Sequence, residues 1–213
     1  MTPTQIEELY QAVLNGNRDA AVKVTRQALD ASVAPQSLID DGMIPAMDEV
    51  GRRFEEEECF VPELLLSARA MKSALELIRP LLSDTSASRK GCIVIGTVQG
   101  DLHDIGKNLV SAMLEGAGFE VVDLGSDVSP EKFVAAVEEK SADLVGLSAL
   151  LTVTMPSMKS TIEALDAAGL RDRVKVLVGG APLSSDYAEE ISADACADNA
   201  TAAVRAARKL VGA

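Results

Sequence analysis

The chain has 213 residues, of which 47% are hydrophobic and only 3% aromatic, with no tryptophan. That length suits one large domain or two small ones, and a core of Ala, Val, Leu and Ile is the habit of helix bundles and parallel sheets. The formal net charge of −13, spread over both halves, argues against nucleic acid as a partner, because such a chain repels phosphate backbones.

In chain order, the segment Met1 to Glu8 has neither the basic start nor the apolar run of a signal peptide. Ile6, Leu9, Tyr10, Val13 and Leu14 recur at helical spacing until Asn15-Gly16-Asn17 breaks the pattern. A second helix is expected over Asp19–Ala31, and a third over Pro35 to about Glu56, bent where Pro45 removes a backbone donor. Pro62 can open a fourth helix that runs through Leu64, Leu65, Ala68, Met71, Leu75 and Ile78 to Pro80. Four apolar-faced helices with short connections predict a small bundle over residues 1–83. The polar run Ser83 to Lys90 reads as a linker, placed at 84–90 between two domains.

From residue 91 the period changes. Short β-branched runs at Cys92–Gly96, Glu120–Leu124, Leu144–Ala149 and Val174–Val178 alternate with helical stretches at Ile105–Glu115, Pro130–Lys140, Met155–Ala168 and Asp186–Ile191. A brief strand at Ala195–Ala197 and a helix over Ala203–Leu210 close the series. The pattern predicts that residues 91–213 form a doubly wound α/β domain, a five-stranded parallel sheet of the Rossmann or flavodoxin-like kind. The longest apolar stretch, Leu144 to Val153, is too short to span a bilayer, so no membrane is expected. Cys59, Cys92 and Cys196 form no close pair, which fits a reducing cytoplasm.

In such a sheet, ligands bind outside the carboxyl ends of the strands. The segment Gly100-Asp101-Leu102-His103-Asp104-Ile105-Gly106 lies there, after strand one, and holds the only histidine of the chain. A neutral imidazole suits a borderline transition metal, and a carboxylate commonly holds its other ring nitrogen; Asp101 stands two residues away for that task. Asp104 can cap the next helix, and Gly106 can let a bulky planar ligand approach. Strand three ends in Ser148-Ala149-Leu150-Leu151-Thr152-Val153-Thr154 and strand four in Gly179-Gly180-Ala181, a crevice with little side-chain bulk and several hydroxyls. The same residues also read as an N-cap, strand-cap hydroxyls and turn glycines; their coincidence around His103 is the informative point. The spacing of Gly96, Gly100 and Gly106 does not give a dinucleotide fingerprint. A phospho-acceptor domain needs an Asp at the end of strand three, where Ser148 stands.

Together these motifs resemble the cobalamin-binding modules of methionine synthase, of cobalamin mutases and of the corrinoid proteins of anaerobic methyltransferase systems. Asp101, His103 and Gly106 match their Asp-x-His-x-x-Gly, Ser148 and Leu150 their Ser-x-Leu, and Gly179 and Gly180 their Gly-Gly. The two-domain layout looks like the stand-alone corrinoid proteins over nearly the whole chain, with Gly51-Arg52-Arg53-Phe54 and Phe60-Val61-Pro62-Glu63 in the helical half. Two departures stand out. Glu57, in a run of four glutamates, replaces a Gly common in relatives, and residues 193–199 lack the Gly-Tyr often seen there.

The resemblance implies a methyl carrier that binds cobalamin base-off and cycles between cob(I)alamin and methylcob(III)alamin. His103 would ligate cobalt, and Asp101 and Thr154 would tune it. The nucleotide tail would enter beside Ser148 and Gly180, with Thr152 and Ala181 also among the cofactor-binding residues and Phe54 and Val61 over the upper face. Implied partners are a substrate:corrinoid methyltransferase, a methylcorrinoid:acceptor methyltransferase using tetrahydrofolate or a thiol such as coenzyme M, and a reductive activation protein. A cobalamin-dependent sensor, an adenosylcobalamin mutase subunit and a flavodoxin-like domain without corrin are the alternatives.

Overall fold

The computed structural model describes residues 3–81 and 90–212, so the expected linker lies largely outside the described residues. The chain divides into two compact units, one helical and one α/β.

In the helical unit, α1 (Pro3–Leu14) ends at the Asn15-Gly16-Asn17 break, and Asn17 caps α2 (Arg18–Asp30) by accepting from the Ala20 N–H at 3.1 Å. The single bent helix expected over Pro35–Glu56 is instead three pieces: α3 (Pro35–Ser37), a π-helical turn (Leu38–Met43) and α4 (Ile44–Glu55). The Ile44 N–H reaches back to the Ile39 carbonyl, five residues away. This wider turn relieves the crowding that the Pro45 ring would impose on the carbonyl four residues before it. α5 (Val61–Ile78) starts one residue before Pro62 and ends in a 3₁₀ turn, Arg79–Leu81. Leu9, Val13, Ala28, Leu38, Met43, Met47, Leu64, Met71 and Ile78 are buried between these helices.

The glutamate run makes the turn between α4 and α5. Glu57 adopts φ +59°, the left-handed region that favours glycine, which accounts for a glycine being suited there. Arg52 braces the run through Glu49, Glu56 and Glu58, and Glu63 accepts from the Phe60 N–H at 2.7 Å at the start of α5. These pairs are exposed, so they orient the turn more than they stabilise it.

The α/β unit runs β1 (Cys92–Thr97), α6 (Ile105–Gly116), β2 (Glu120–Asp123), α7 (Pro130–Lys140), β3 (Leu144–Ser148), α8 (Pro156–Ala167), β4 (Lys175–Gly179), α9 (Ser185–Glu190), β5 (Ala195–Ala197) and α10 (Ala200–Val211). All pairings are parallel, in the order β2-β1-β3-β4-β5. The chain therefore reverses its winding between β1 and β3, the switch point where such sheets bind ligands. Val94, Val145, Leu147, Val176 and Val178 from the strands pack with Phe133, Met158 and Leu165 from the helices in one core. Strand ends differ from expectation by one residue. α10 begins three residues earlier than expected because Asn199 caps it, accepting from the Ala202 N–H at 2.8 Å. Thr97, Ser148 and Gly179 are in register at the carboxyl ends of β1, β3 and β4. Among the described residues, no helix is long and apolar enough to cross a membrane, and the three cysteines are free thiols.

Candidate functional site

The loop from β1 to α6 crosses the switch point and is built around one buried carboxylate. Asp101 has no exposed surface, yet five donors converge on it. Oδ1 accepts from the His103 backbone N–H at 3.0 Å and from His103 Nδ1 at 2.7 Å. Oδ2 accepts from the N–H groups of Leu150 (2.8 Å) and Leu151 (3.2 Å) and from the Thr154 hydroxyl at 2.7 Å. The Thr154 hydroxyl also lies 2.8 Å from the Leu151 carbonyl. It has one proton, and the carboxylate is the stronger acceptor. Burial alone pushes the Asp101 carboxyl up, but the bonds from the His103 and Leu150 N–H groups, the Thr154 hydroxyl and the His103 ring outweigh it. They hold Asp101 well below the usual carboxylate range.

An ionised Asp101 can only accept, so Nδ1 of His103 carries a proton. With Nδ1 turned to Asp101, Nε2 is the ring nitrogen left to offer a lone pair. The His103 side chain is half exposed, and its carbonyl is fixed by the Thr97 hydroxyl at 3.0 Å. The arrangement can offer one oriented nitrogen to a metal that brings its other ligands with it. No cluster of three or more metal-ligating side chains occurs among the described residues.

Around His103 the surface is apolar. Leu102 and Ile105 are 73% and 82% exposed, Val153 is 81% exposed, and Leu150 and Leu151 are partly so. β3 ends at Ser148, one residue before the expected Ala149, and the chain then turns outward so that two N–H groups point back at Asp101. Ser148 is half-buried and Thr152 exposed, Asp104 stands immediately before α6, and a side chain added at Gly106 would meet open space.

Gly180 has φ +144°, and a Cβ there would lie 1.9 Å from the Ala149 carbonyl oxygen. A Cβ at Gly179 would meet the Ala197 carbonyl oxygen at 3.2 Å. The small residues thus serve first to let the ends of β3, β4 and β5 approach one another, and Ala181 continues that turn. Phe54 is half-buried in the last turn of α4, and Val61 is exposed at the start of α5; both belong to the helical unit.

Several contacts escaped the sequence reading. The loop after β2 runs beside the His103 loop: the Thr97 N–H donates to Gly125 O at 2.9 Å and the Val128 N–H to Thr97 O at 3.0 Å. Lys107, almost wholly buried, pairs with Asp123 at 2.5 Å and Asn108 at 2.7 Å. Spacing alone gives no sign of these partners, because they meet through sheet pairing between β1 and β2.

Comparison with known proteins places the chain. A B12 binding domain family matches residues 91–208 and a second B12 binding domain family residues 5–79. A dimethylamine corrinoid protein of Methanosarcina barkeri is 43% identical over 207 residues, 97% of each chain. A corrinoid protein of Desulfitobacterium hafniense is 42% identical over the full length of both. Among solved structures, a methanol:cobalamin methyltransferase complex from Methanosarcina barkeri matches with a TM-score of 0.89 at 30% identity, over 100% of this chain and 81% of the other. A cobalamin-binding protein from Desulfitobacterium hafniense matches with a TM-score of 0.78 at 34% identity, over 96% and 98% of the two chains. The residues present fit a corrinoid: one oriented imidazole, an exposed apolar rim around it and open space above Gly106 suit a planar macrocycle that supplies four nitrogen ligands of its own. The chain belongs to the B12-binding corrinoid proteins of methyltransferase systems, and its cofactor is cobalamin.

Proposed function

We propose that this chain carries methyl groups from a substrate:corrinoid methyltransferase to a methylcorrinoid:acceptor methyltransferase acting on tetrahydrofolate or a thiol such as coenzyme M. In this reading it would hold cobalamin base-off, with His103 Nε2 as the protein's ligand to cobalt. The observation that carries the reading is the single histidine whose Nδ1–H is held by a buried, ionised carboxylate. When bound, cobalamin supplies the cobalt on which the methyl group travels.

The chain's own residues bind, orient and shield. Asp101 fixes the tautomer and plane of His103, and the Thr154 hydroxyl and the Leu150 N–H keep Asp101 ionised for that role. Gly100, Asp104, Ile105 and Gly106 shape the loop that meets the ring. Ser148, Leu150, Thr152, Gly179, Gly180 and Ala181 would line the side that takes the nucleotide tail. Residues 1–83 would serve as the cap that the family resemblance implies, with Phe54 and Val61 as its cofactor-facing residues, ahead of the linker 84–90 and the cobalamin domain 91–213. A reductive activation protein is the third partner.

Relatives that share both halves of the chain, named for dimethylamine, favour a carrier over a sensor or a mutase subunit. The test is transfer of a ¹³C-methyl group from dimethylamine, monomethylamine or methanol to a thiol or tetrahydrofolate, with matching methyltransferase pairs from relatives. Transfer that requires this chain in substoichiometric amounts is expected. Tight cobalamin binding with no transfer from any donor would overturn the carrier role and leave a binding module.

A further inference from the structure

We infer that Asp127, on the loop after β2, is a positioning residue that holds the His103 loop in its ligating conformation; this rests on His103 ligating cobalt as proposed above. Asp127 grips the Gly100-Asp101 segment at its two ends, bonding the N–H that enters Gly100 and the carbonyl that leaves Asp101. Its carboxylate Oδ1 accepts from the Gly100 N–H at 2.8 Å, and its own N–H donates to the Asp101 carbonyl at 2.9 Å. Both bonds cross from one strand end to another, 26 or more residues along the chain, so neither forms unless β1 and β2 are paired.

The grip has its own foundations. Asp127 adopts φ +53°, a conformation that Asp tolerates better than most side chains. The flanking backbone is zipped to β1 by Thr97 N–H to Gly125 O and by Val128 N–H to Thr97 O, with Val98 and Val128 forming an isolated parallel bridge. On the other flank of His103, Lys107 ties the first turn of α6 to Asp123, whose second oxygen accepts from the Gly125 N–H at 2.8 Å. The β2 end therefore holds the segment before His103 through Asp127 and the segment after it through Asp123. Asp101 aims the ring; Asp127 places the backbone from which Asp101 aims.

The test uses the full chain without a histidine tag, loaded with hydroxocobalamin and reduced to the cob(II) state. Because the chain has one histidine, growth on ¹⁵N-histidine labels only His103, and a coordinated nitrogen changes its electron paramagnetic resonance splitting with the label. Asp127→Gly keeps the backbone angle accessible and removes the carboxylate; Asp127→Asn keeps an acceptor oxygen. The expected result is a roughly fivefold fall in the ratio of imidazole-ligated to unligated protein in Asp127→Gly, the size of one lost hydrogen bond, with near wild-type ligation in Asp127→Asn. Circular dichroism of the cofactor-free variants checks that the fold is kept, and Asp127→Ser replaces any variant that fails it. Label-dependent splitting of equal strength in wild type and in the folded variants overturns the positioning role alone. No label-dependent splitting in wild type overturns the His103 ligation on which it rests.

Discussion

Asp101 is costly to bury and is kept only because every lone pair that faces the protein finds a donor. Its pKa is lowered on folding, so it stabilises the native state above the unfolded carboxylate value of about 4, and that contribution is lost as pH falls toward its native value. Replacement by asparagine removes the titration. The stability gap between wild type and Asp101→Asn should therefore be largest near neutrality and narrow as pH falls from about 5 to below 4, as read by urea denaturation of the cofactor-free protein at each pH. A gap that does not change with pH would show that Asp101 is not ionised in the fold. At this scale the centre of the site was legible, since His103 and its carboxylate lie two residues apart in one short loop. Thr154 was legible as a hydroxyl at the end of strand three, and its place behind Asp101 only through the family resemblance. Asp127, Asp123 and Lys107 were not, because a bond between neighbouring strand ends leaves no mark in local spacing.

The elements bring these residues together by where they stop. β3 ends at Ser148, and Val98 N–H bonds Ser148 O at 3.0 Å, which sets the β1 and β3 loops against each other before either turns away. Gly180 then lets the β4 end close on the Ala149 carbonyl, which fixes the start of the segment that delivers the Leu150 and Leu151 N–H groups to Asp101. A methyl group at Gly180 has nowhere to go, and its backbone angle is one that L residues avoid. Gly180→Ala should cost about 3 kcal/mol in urea denaturation of the cofactor-free protein. A cost under about 0.5 kcal/mol would mean that the Ala149 turn yields freely. Alternating periods were enough to read the strands to within a residue and most helices to within one or two, the start of α10 and the break before α4 excepted. The outward turn at 150–153 was not readable, because its apolar residues look like more buried strand although they are exposed. The π-helical turn before Pro45 was hidden for a related reason: proline signals a disturbed helix without saying which geometry relieves it.

For the whole molecule, the family matches cover both units, and relatives share nearly the full length of the chain, so the helical and α/β parts recur as a pair. In the proposed reading, the one histidine at the switch point of the parallel sheet holds cobalamin, and the methyltransferases that meet the carrier decide what it serves. The central claim is that the His103 loop is the seat of the cofactor. The most direct measurement is a visible-spectrum titration of the untagged, cofactor-free protein with hydroxocobalamin, run in parallel on wild type and His103→Ala. Wild type is expected to bind one equivalent, and His103→Ala to show a different spectrum and an affinity at least several-fold lower. Identical spectra and affinities in the two proteins would contradict the claim.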